Sequence, residues 1–189
     1  AHGEHAATGT YEIGQPLHGL EKGTQWDVGG EWKQGAHKFG LTGFVSDFSN
    51  YISLQPTGQY WNGAVVQSSQ TSATDLPVYQ FEGVRARFHG VESNAQIRMV
   101  GGQDAVLSPK ATHGTLDLAL RADAVHATDL THNQAMPRIA PMRLGADGVW
   151  ARNAWGARVG FVHAAAQNHV PEGAVTTAGS TPWNAGLNY

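Results

Sequence analysis

The sequence predicts an all-β fold, an antiparallel segment of a transmembrane β-barrel, and three observations support this prediction. Apolar and polar residues alternate with a period of two along much of the chain, which is typical of strands with two different faces. Glycine (24 residues) and tryptophan (6 residues) are abundant, and no stretch has the periodicity of a long helix. Short and long connections alternate between the predicted strands, as they do in outer-membrane barrels.

Seven segments carry the alternation clearly. The best example is TLDLALRADAVHA, residues 115–127, in which Leu116 and Leu118 fall on one face and Asp117 and Arg121 on the other. The seven predicted strands span residues 25–33, 38–54, 90–99, 115–127, 142–150, 155–164 and 183–189. A weaker eighth strand is predicted at residues 8–13.

The connections between these strands differ systematically in length. Two are short, one is intermediate and three are long and polar: residues 34–37 and 151–154, then 101–113, then 55–77, 128–141 and 167–182. Antiparallel strands joined in this order place all the long loops at one end. Outer-membrane barrels have this arrangement, with short periplasmic turns and longer external loops.

Alternation by itself does not distinguish lipid from a protein core, because both environments produce it. Charges of both signs in the middle of the polar faces, such as Asp117, Arg121 and Arg158, favour a water-filled lumen. Strands of nine or more residues also match a tilted membrane crossing. Aromatic residues end many apolar faces, as in an interfacial girdle: Trp26, Trp32, Trp150, Trp155, Trp183 and Tyr189. The alternative is a soluble β-sandwich with these tryptophans in its core.

Composition excludes several function classes. The net charge is −3 with histidine neutral, so no basic surface for nucleic acid is expected. There is no cysteine, which excludes disulfides and thiolate metal sites. No apolar run approaches the roughly 20 residues of a spanning helix. No leader pattern opens the chain, so we expect any export signal to have been removed or to lie outside this segment.

Ten histidines suggest a metal site. Five lie in segments assigned to the long-loop end, where a substrate would first meet the protein: His2, His5, His18, His132 and His169. In HGEH, residues 2–5, two imidazoles flank the carboxylate of Glu4, as in a partial zinc site. The candidate metal ligands are therefore His2, His5, His132 and His169. The alternative is that they are solvated loop residues, since no complete ligand spacing appears.

An enzymatic function has little support. Serine, histidine and aspartate are present, but no nucleophile elbow or similar local signature is found. Arg87 and Glu92 in RARFHGVE are more simply interpreted as ion-pairing residues inside the lumen. We therefore predict that the protein is not an enzyme.

Several stretches resemble, in order, the C-terminal part of the barrel of TonB-dependent outer-membrane receptors. Residues 5–35 resemble a long external loop and its descending strand, and residues 39–58 resemble the ascending strand that follows, with its FSNYI run. In LPVYQFEGVRARFHGVES, residues 76–93, an alanine–arginine pair precedes an aromatic residue and Gly-Val-Glu, as in the family's next strand. Three later segments keep the family's order: residues 114–125, 136–150 and 181–189. The nearest branch is the one associated with metal uptake, particularly zinc.

This resemblance implies an active transporter in the outer membrane of a Gram-negative bacterium. External loops would capture a scarce nutrient, such as a metal ion, a metal chelate or a siderophore, and TonB would supply energy that rearranges a plug. Zinc or an iron chelate would be the transported substrate, and no bound cofactor is expected. The implied partners are the lipid bilayer, TonB and the substrate, without nucleic acid.

The sequence departs from the full family pattern in two ways. Nothing in residues 1–189 resembles the plug domain or the segment that engages TonB, and complete family barrels have about 22 strands. Seven strands would leave two open edges, which bilayer hydrocarbon does not tolerate. We therefore interpret residues 1–189 as part of one receptor barrel domain. The alternatives are a complete eight-stranded outer-membrane barrel with a structural or adhesion role, and a soluble β-sandwich binding module.

Overall fold

The computed structural model describes residues 2–14, 19–171 and 173–189, and within them every regular element is a β-strand. The strands are β1 (His2–His5), β2 (Thr10–Ile13), β3 (Lys22–Gln34), β4 (His37–Trp61), β5 (Val66–Gln67), β6 (Leu76–Val100), β7 (Thr115–Asp129), β8 (Gln134–Ala135), β9 (Arg143–Arg152), β10 (Trp155–Ala164) and β11 (Trp183–Asn188). Hydrogen bonds join them into one 11-stranded sheet. No helix in these ranges is long and apolar enough to cross a membrane. The prediction of an all-β, largely antiparallel fold is confirmed.

Strands β7, β9, β10 and β11 pair in sequence, each antiparallel to the next. The turn between β9 and β10 contains Asn153, whose φ of 55° lies in the left-handed region. Asparagine enters this region more readily than most residues, which suits it to a tight hairpin turn. This turn is one of the two short connections that the sequence predicts.

The other short connection, between β3 and β4, is held by Asp104. Its carboxylate accepts a hydrogen bond from the backbone amide of Ala36 at 2.7 Å, and its carbonyl oxygen lies 2.6 Å from Nε2 of His37. The Ala36 amide is the main reason that the pKa of Asp104 is lowered. Gly35 has a φ of 56° and faces this carboxylate so closely that a Cβ would collide with it. The turn therefore requires glycine here.

Each of the seven predicted strands corresponds to an observed strand, but β4 and β6 are much longer than predicted. Both contain 25 residues and extend into the segment predicted as a long connection, residues 55–77. The short strands β1, β5 and β8 are not predicted at all. Apolar–polar alternation marks a strand only where its two faces meet different surroundings, so strand segments with polar residues on both faces lack the signal.

One pairing departs from antiparallel order. β2, which corresponds to the weak eighth predicted strand, runs parallel to β6 with Tyr11 opposite Val78. β2 also forms a hairpin with β1, and the ring of Tyr11 stacks on Trp61 at a centroid distance of 4.3 Å. Such a pairing joins segments far apart in sequence, and no local pattern indicates it.

The chain forms two compact units. Unit 1 comprises Ala1–Thr24, Asp47–Ala86 and Asp129–His132. Unit 2 comprises Gln25–Ser46, Arg87–Thr128 and Asn133–Tyr189.

In unit 2 the exposed face of the sheet is apolar. Leu120 is 37% exposed and Val159 is 56% exposed, whereas Asp147, on the opposite face, is only 1% exposed. A soluble sheet buries its apolar residues and exposes its carboxylates, so this distribution is reversed. It fits strands that contact lipid on one side. Further exposed apolar side chains of these strands are Trp26, Val28, Trp32, Phe39, Leu41, Val45, Val91, Leu144, Trp155, Trp183 and Leu187.

A charge on this apolar face should destabilise the intact protein more than the same charge on the polar face. We expect Leu120→Lys to lower the free energy of unfolding by about 2–4 kcal/mol, because a lysine would have to enter the hydrocarbon near its midplane. Asn94→Lys, on the polar face of β6, is the matched control and should have a much smaller effect. Denaturant unfolding in lipid vesicles measures both. Equal losses in the two variants would contradict the assignment of the faces.

Candidate functional site

The polar face of unit 2 carries a buried carboxylate between two guanidinium groups. Asp147 lies on β9, and its side chain accepts hydrogen bonds from Arg121 on β7 at 2.8 Å and from Arg158 on β10 at 2.9 Å. Small neighbours create the space: a Cβ at Gly145 would collide with the Arg121 guanidinium, and one at Gly160 would collide with the Asp147 carboxylate. The two glycines thus permit a three-strand ion pair across β7, β9 and β10.

Two further ion pairs lie on the same face of unit 2. Arg98 on β6 pairs with Asp117 on β7 and also donates to the carbonyl of Gly101 at 2.7 Å. Arg143 on β9 pairs with Asp123 on β7 at 3.0 Å. These carboxylates are neutralised by guanidinium groups, so the face is a polar surface with compensated charge rather than a cation site.

In unit 1 the buried carboxylate of Asp129 organises the chain that leaves β7. It accepts hydrogen bonds from the backbone amides of Thr131 at 2.8 Å and His132 at 3.0 Å. Gln55 on β4 donates from its side-chain amide at 3.1 Å, and Nδ1 of His132 lies 2.8 Å away. A short side chain that binds the amides two and three residues ahead is the usual way to start a turn. Asp129 therefore fixes the position of His132.

The imidazole of His132 lies between two carboxylates. The hydrogen bond to Asp129 raises the pKa of His132, partial burial opposes this, and attraction to Asp129 and to Glu82, 3.9 Å away, adds to the rise. The protonated form of the ring is therefore favoured more than in an ordinary histidine, and in that form both ring nitrogens are hydrogen-bond donors.

A second carboxylate in unit 1, Asp75, holds the loop before β6. It accepts hydrogen bonds from the backbone amides of Thr71 and Ser72 and from the side chains of Thr71 and Gln67, all within 3.0 Å. The Thr71 amide is the largest cause of its lowered pKa. Like Asp129, this acid anchors a loop.

The structure places the predicted metal-binding histidines in different surroundings. His5 ends β1 in unit 1, His132 pairs with Asp129 in unit 1, and His169 lies in unit 2 with its ring 5.9 Å from His126. The side chain of His2 and the whole of His18 lie outside the described residues.

Glu4 of HGEH accepts a hydrogen bond from the indole of Trp61 at 2.8 Å. Among the described residues no group of three or more His, Asp or Glu side chains is arranged to hold a metal ion. The four-histidine site stays a prediction.

The sequence interpretation missed a different group of histidines in unit 2. His89 on β6 and His126 on β7 stack with ring centroids 5.7 Å apart, and His169 contacts His126. The sequence does contain a pattern that could have indicated this pair. His89 lies two residues from Val91 and His126 two residues from Ala124, so each histidine continues the apolar face of its strand. The sequence does not show that β6 pairs with β7, so it gives no indication that these two histidines are neighbours.

Comparison with known proteins identifies the family. The family model described as "TonB dependent receptor-like, beta-barrel" matches residues 3–189. The chain belongs to this family. No curated protein matches its sequence. Among solved structures, the protein titled "Copper transporter OprC" is similar in fold, with a TM-score of 0.66 and 18% sequence identity. The match covers 87% of this chain and 22% of that chain, so the present chain spans about a fifth of the length of that protein.

Family membership confirms the coarse predictions. The chain is β-barrel sequence from a family of outer-membrane receptors, which is the family the sequence resembles. The match therefore favours an outer-membrane barrel over a soluble sandwich. The narrower assignment to a zinc branch stays a prediction.

Removing the buried carboxylate of the three-strand ion pair should destabilise the barrel. We expect Asp147→Asn to lower the free energy of unfolding of the intact protein by about 1–3 kcal/mol, because Arg121 and Arg158 lose a charged acceptor. Asp123→Asn, at the more exposed pair with Arg143, should cost less than about 1 kcal/mol. Denaturant unfolding in detergent gives both values. A larger loss for Asp123→Asn would contradict this ranking.

The contact between His132 and Asp129 should depend on pH. A histidine whose folded pKa is raised adds stability that is complete below its ordinary pKa of about 6.5 and is lost as the pH rises through the raised value. We expect Asp129→Asn to lower the pKa of His132 towards its ordinary value and to remove this dependence. Glu82→Gln, at 3.9 Å, should lower it less. NMR titration of isotope-labelled histidine measures the shifts, and an unchanged His132 pKa in Asp129→Asn would contradict the assignment.

Proposed function

We propose that the intact protein is a TonB-dependent active transporter of the outer membrane, and that this chain forms part of its barrel wall and extracellular vestibule. The reversed burial in unit 2 is the observation that carries the proposal: Leu120 is exposed and Asp147 is buried. The family match over residues 3–189 supports the same conclusion.

In this proposal the two faces of unit 2 have separate roles. The apolar face contacts lipid, and the compensated ion pairs of Asp117, Asp123 and Asp147 line the lumen. Because these charges are paired, the lumen is polar without holding a cation tightly. Such a surface suits passage of a polar solute, since tight binding would slow its release. Energy relayed by TonB would move a plug that lies outside this chain.

We further propose that the substrate is a scarce metal ion or a metal chelate, including siderophores, with zinc or iron as the metal. The candidate ligands remain His2, His5, His132 and His169, because imidazole suits zinc and several other transition metals. Nδ1 of His132 contacts Asp129, so Nε2 is the atom that would bind a metal, and binding to a protonated ring would release a proton. The similar solved structure is titled a copper transporter, which supports testing copper as well.

Uptake measurements test both parts of the proposal. Cells that express the intact protein would be given radiolabelled zinc, copper or an iron–siderophore complex, with TonB present or deleted. We expect uptake of one of these substrates to be saturable and to require TonB. Uptake that persists equally without TonB would contradict the transporter proposal and would favour a passive or structural barrel.

A variant with all four candidate ligands changed to alanine tests the metal site. Its control is His37→Ala/His113→Ala, which removes two imidazoles near the short connections. We expect the first variant to raise the half-saturating substrate concentration by about tenfold or more, as loss of a metal ligand or its support does. If both variants transport the substrate with the same half-saturating concentration, the four histidines are not ligands of the metal.

A further inference from the structure

Unit 2 carries a groove on its apolar face whose lining changes character along its length. The groove has a volume of about 550 Å³. Its lining residues include Trp26, Val28, Val45, Val91, Ala124, His89 and His126. His89 lies next to Val91 on the apolar face of β6, and His126 lies next to Ala124 on that of β7. Both histidines are on the side of these residues that is nearer to the long loops. The groove is therefore apolar over most of its length and bears two imidazoles towards the long-loop side.

The imidazoles are exposed donors. The rings of His89 and His126 are nearly parallel, with an interplanar angle of 15°, and the ring of His169 lies beside His126. No carboxylate of the described residues lies within hydrogen-bond or ion-pair distance of these three rings. Since the same residues contain no metal-binding group of three, the stack is not arranged as a metal centre. Each ring offers at least one N–H donor, and two when protonated.

The position of His89 along its strand also indicates its depth in the membrane. On β6 the apolar face runs from Met99 to Val91, nine residues, and His89 is the next position. About nine to eleven tilted residues cross the hydrocarbon of a bilayer. If Met99 lies near one boundary of the hydrocarbon, His89 lies at the other, which is the level of the lipid headgroups.

We propose that this groove binds one phosphate-bearing membrane lipid, with an acyl chain along the apolar lining and the phosphate hydrogen-bonded to His89 and His126. An acyl chain alone would not account for the imidazoles, and a free phosphate would not account for the apolar lining. Hydrogen bonds to a phosphate are charge-assisted and hence stronger than neutral ones. The proposal rests on residence in the outer membrane but is independent of the transported substrate.

Gly43 offers a way to block the groove without touching the histidines. It lines the groove on β4, and a Cβ built there would meet only the carbonyl oxygen of Gly90, at 3.8 Å. Gly43→Leu would therefore fill space that the acyl chain needs, with no collision at the Cβ itself.

The test is native mass spectrometry of the intact protein in mild detergent. Three probes separate the parts of the ligand: dioleoylphosphatidylglycerol, dioleoylglycerol, which has the same chains without phosphate, and inorganic phosphate. The variants are His89→Ala/His126→Ala and Gly43→Leu. His37→Ala/His113→Ala is the control, and altered gel mobility of unheated samples verifies that each variant is folded.

We expect one phosphatidylglycerol to bind the wild type and the control, and both other variants to bind it about tenfold more weakly or worse, as loss of charge-assisted hydrogen bonds or of the chain site requires. Dioleoylglycerol should bind all four proteins weakly. Equal retention of phosphatidylglycerol in His89→Ala/His126→Ala and the control would overturn the proposal, as would equal binding of the two lipids. Binding of inorganic phosphate as tight as that of the lipid would overturn it too. If the lipid does not bind but the protein still transports its substrate, only the lipid proposal is wrong and the transporter proposal is unaffected.

Discussion

In unit 2 the two faces of the strands have different surroundings, and the placement of charges and glycines follows from this difference. In unit 2 Leu120 is exposed while Asp147 is buried on the opposite face. In water each exposed square ångström of apolar surface would cost about 25 cal/mol, but against hydrocarbon that cost disappears. The polar face then has to compensate its own charges. Arg121 and Arg158 do so for Asp147, and Gly145 and Gly160 supply the space for them.

Carboxylates stabilise the connections between strands as well as the strands themselves. Asp104 binds the backbone of the turn between β3 and β4, Asp75 closes the loop before β6, and Asp129 starts the turn after β7. In each case a short acidic side chain satisfies backbone amides that no strand partner reaches, which lets polar connections adopt one conformation. Because these acids are committed to backbone amides, they are poor candidates for binding a metal ion.

Two groups of histidines consequently differ in their chemistry. His132 contacts Asp129 and Glu82, and the hydrogen bond to Asp129 raises its pKa. His89 and His126 stack on one another beside the apolar groove of unit 2, and the ring of His169 contacts that of His126. The first arrangement suits a loop residue that meets a solute. The second suits contact with the headgroups of the surrounding bilayer.

The all-β class, the alternation of the two faces and the order of short and long connections can be predicted from the amino-acid sequence alone, because these are local properties of neighbouring residues. The sequence also carries the family resemblance that the match over residues 3–189 confirms. Which charges meet, as with Asp147 between Arg121 and Arg158, and which histidines stack became visible only in the folded chain. The parallel pairing of β2 with β6 and the full length of β4 and β6 were decided in the same way. Such contacts depend on strand register between segments far apart in the chain, and register leaves no trace in a local pattern once both faces of a strand are polar.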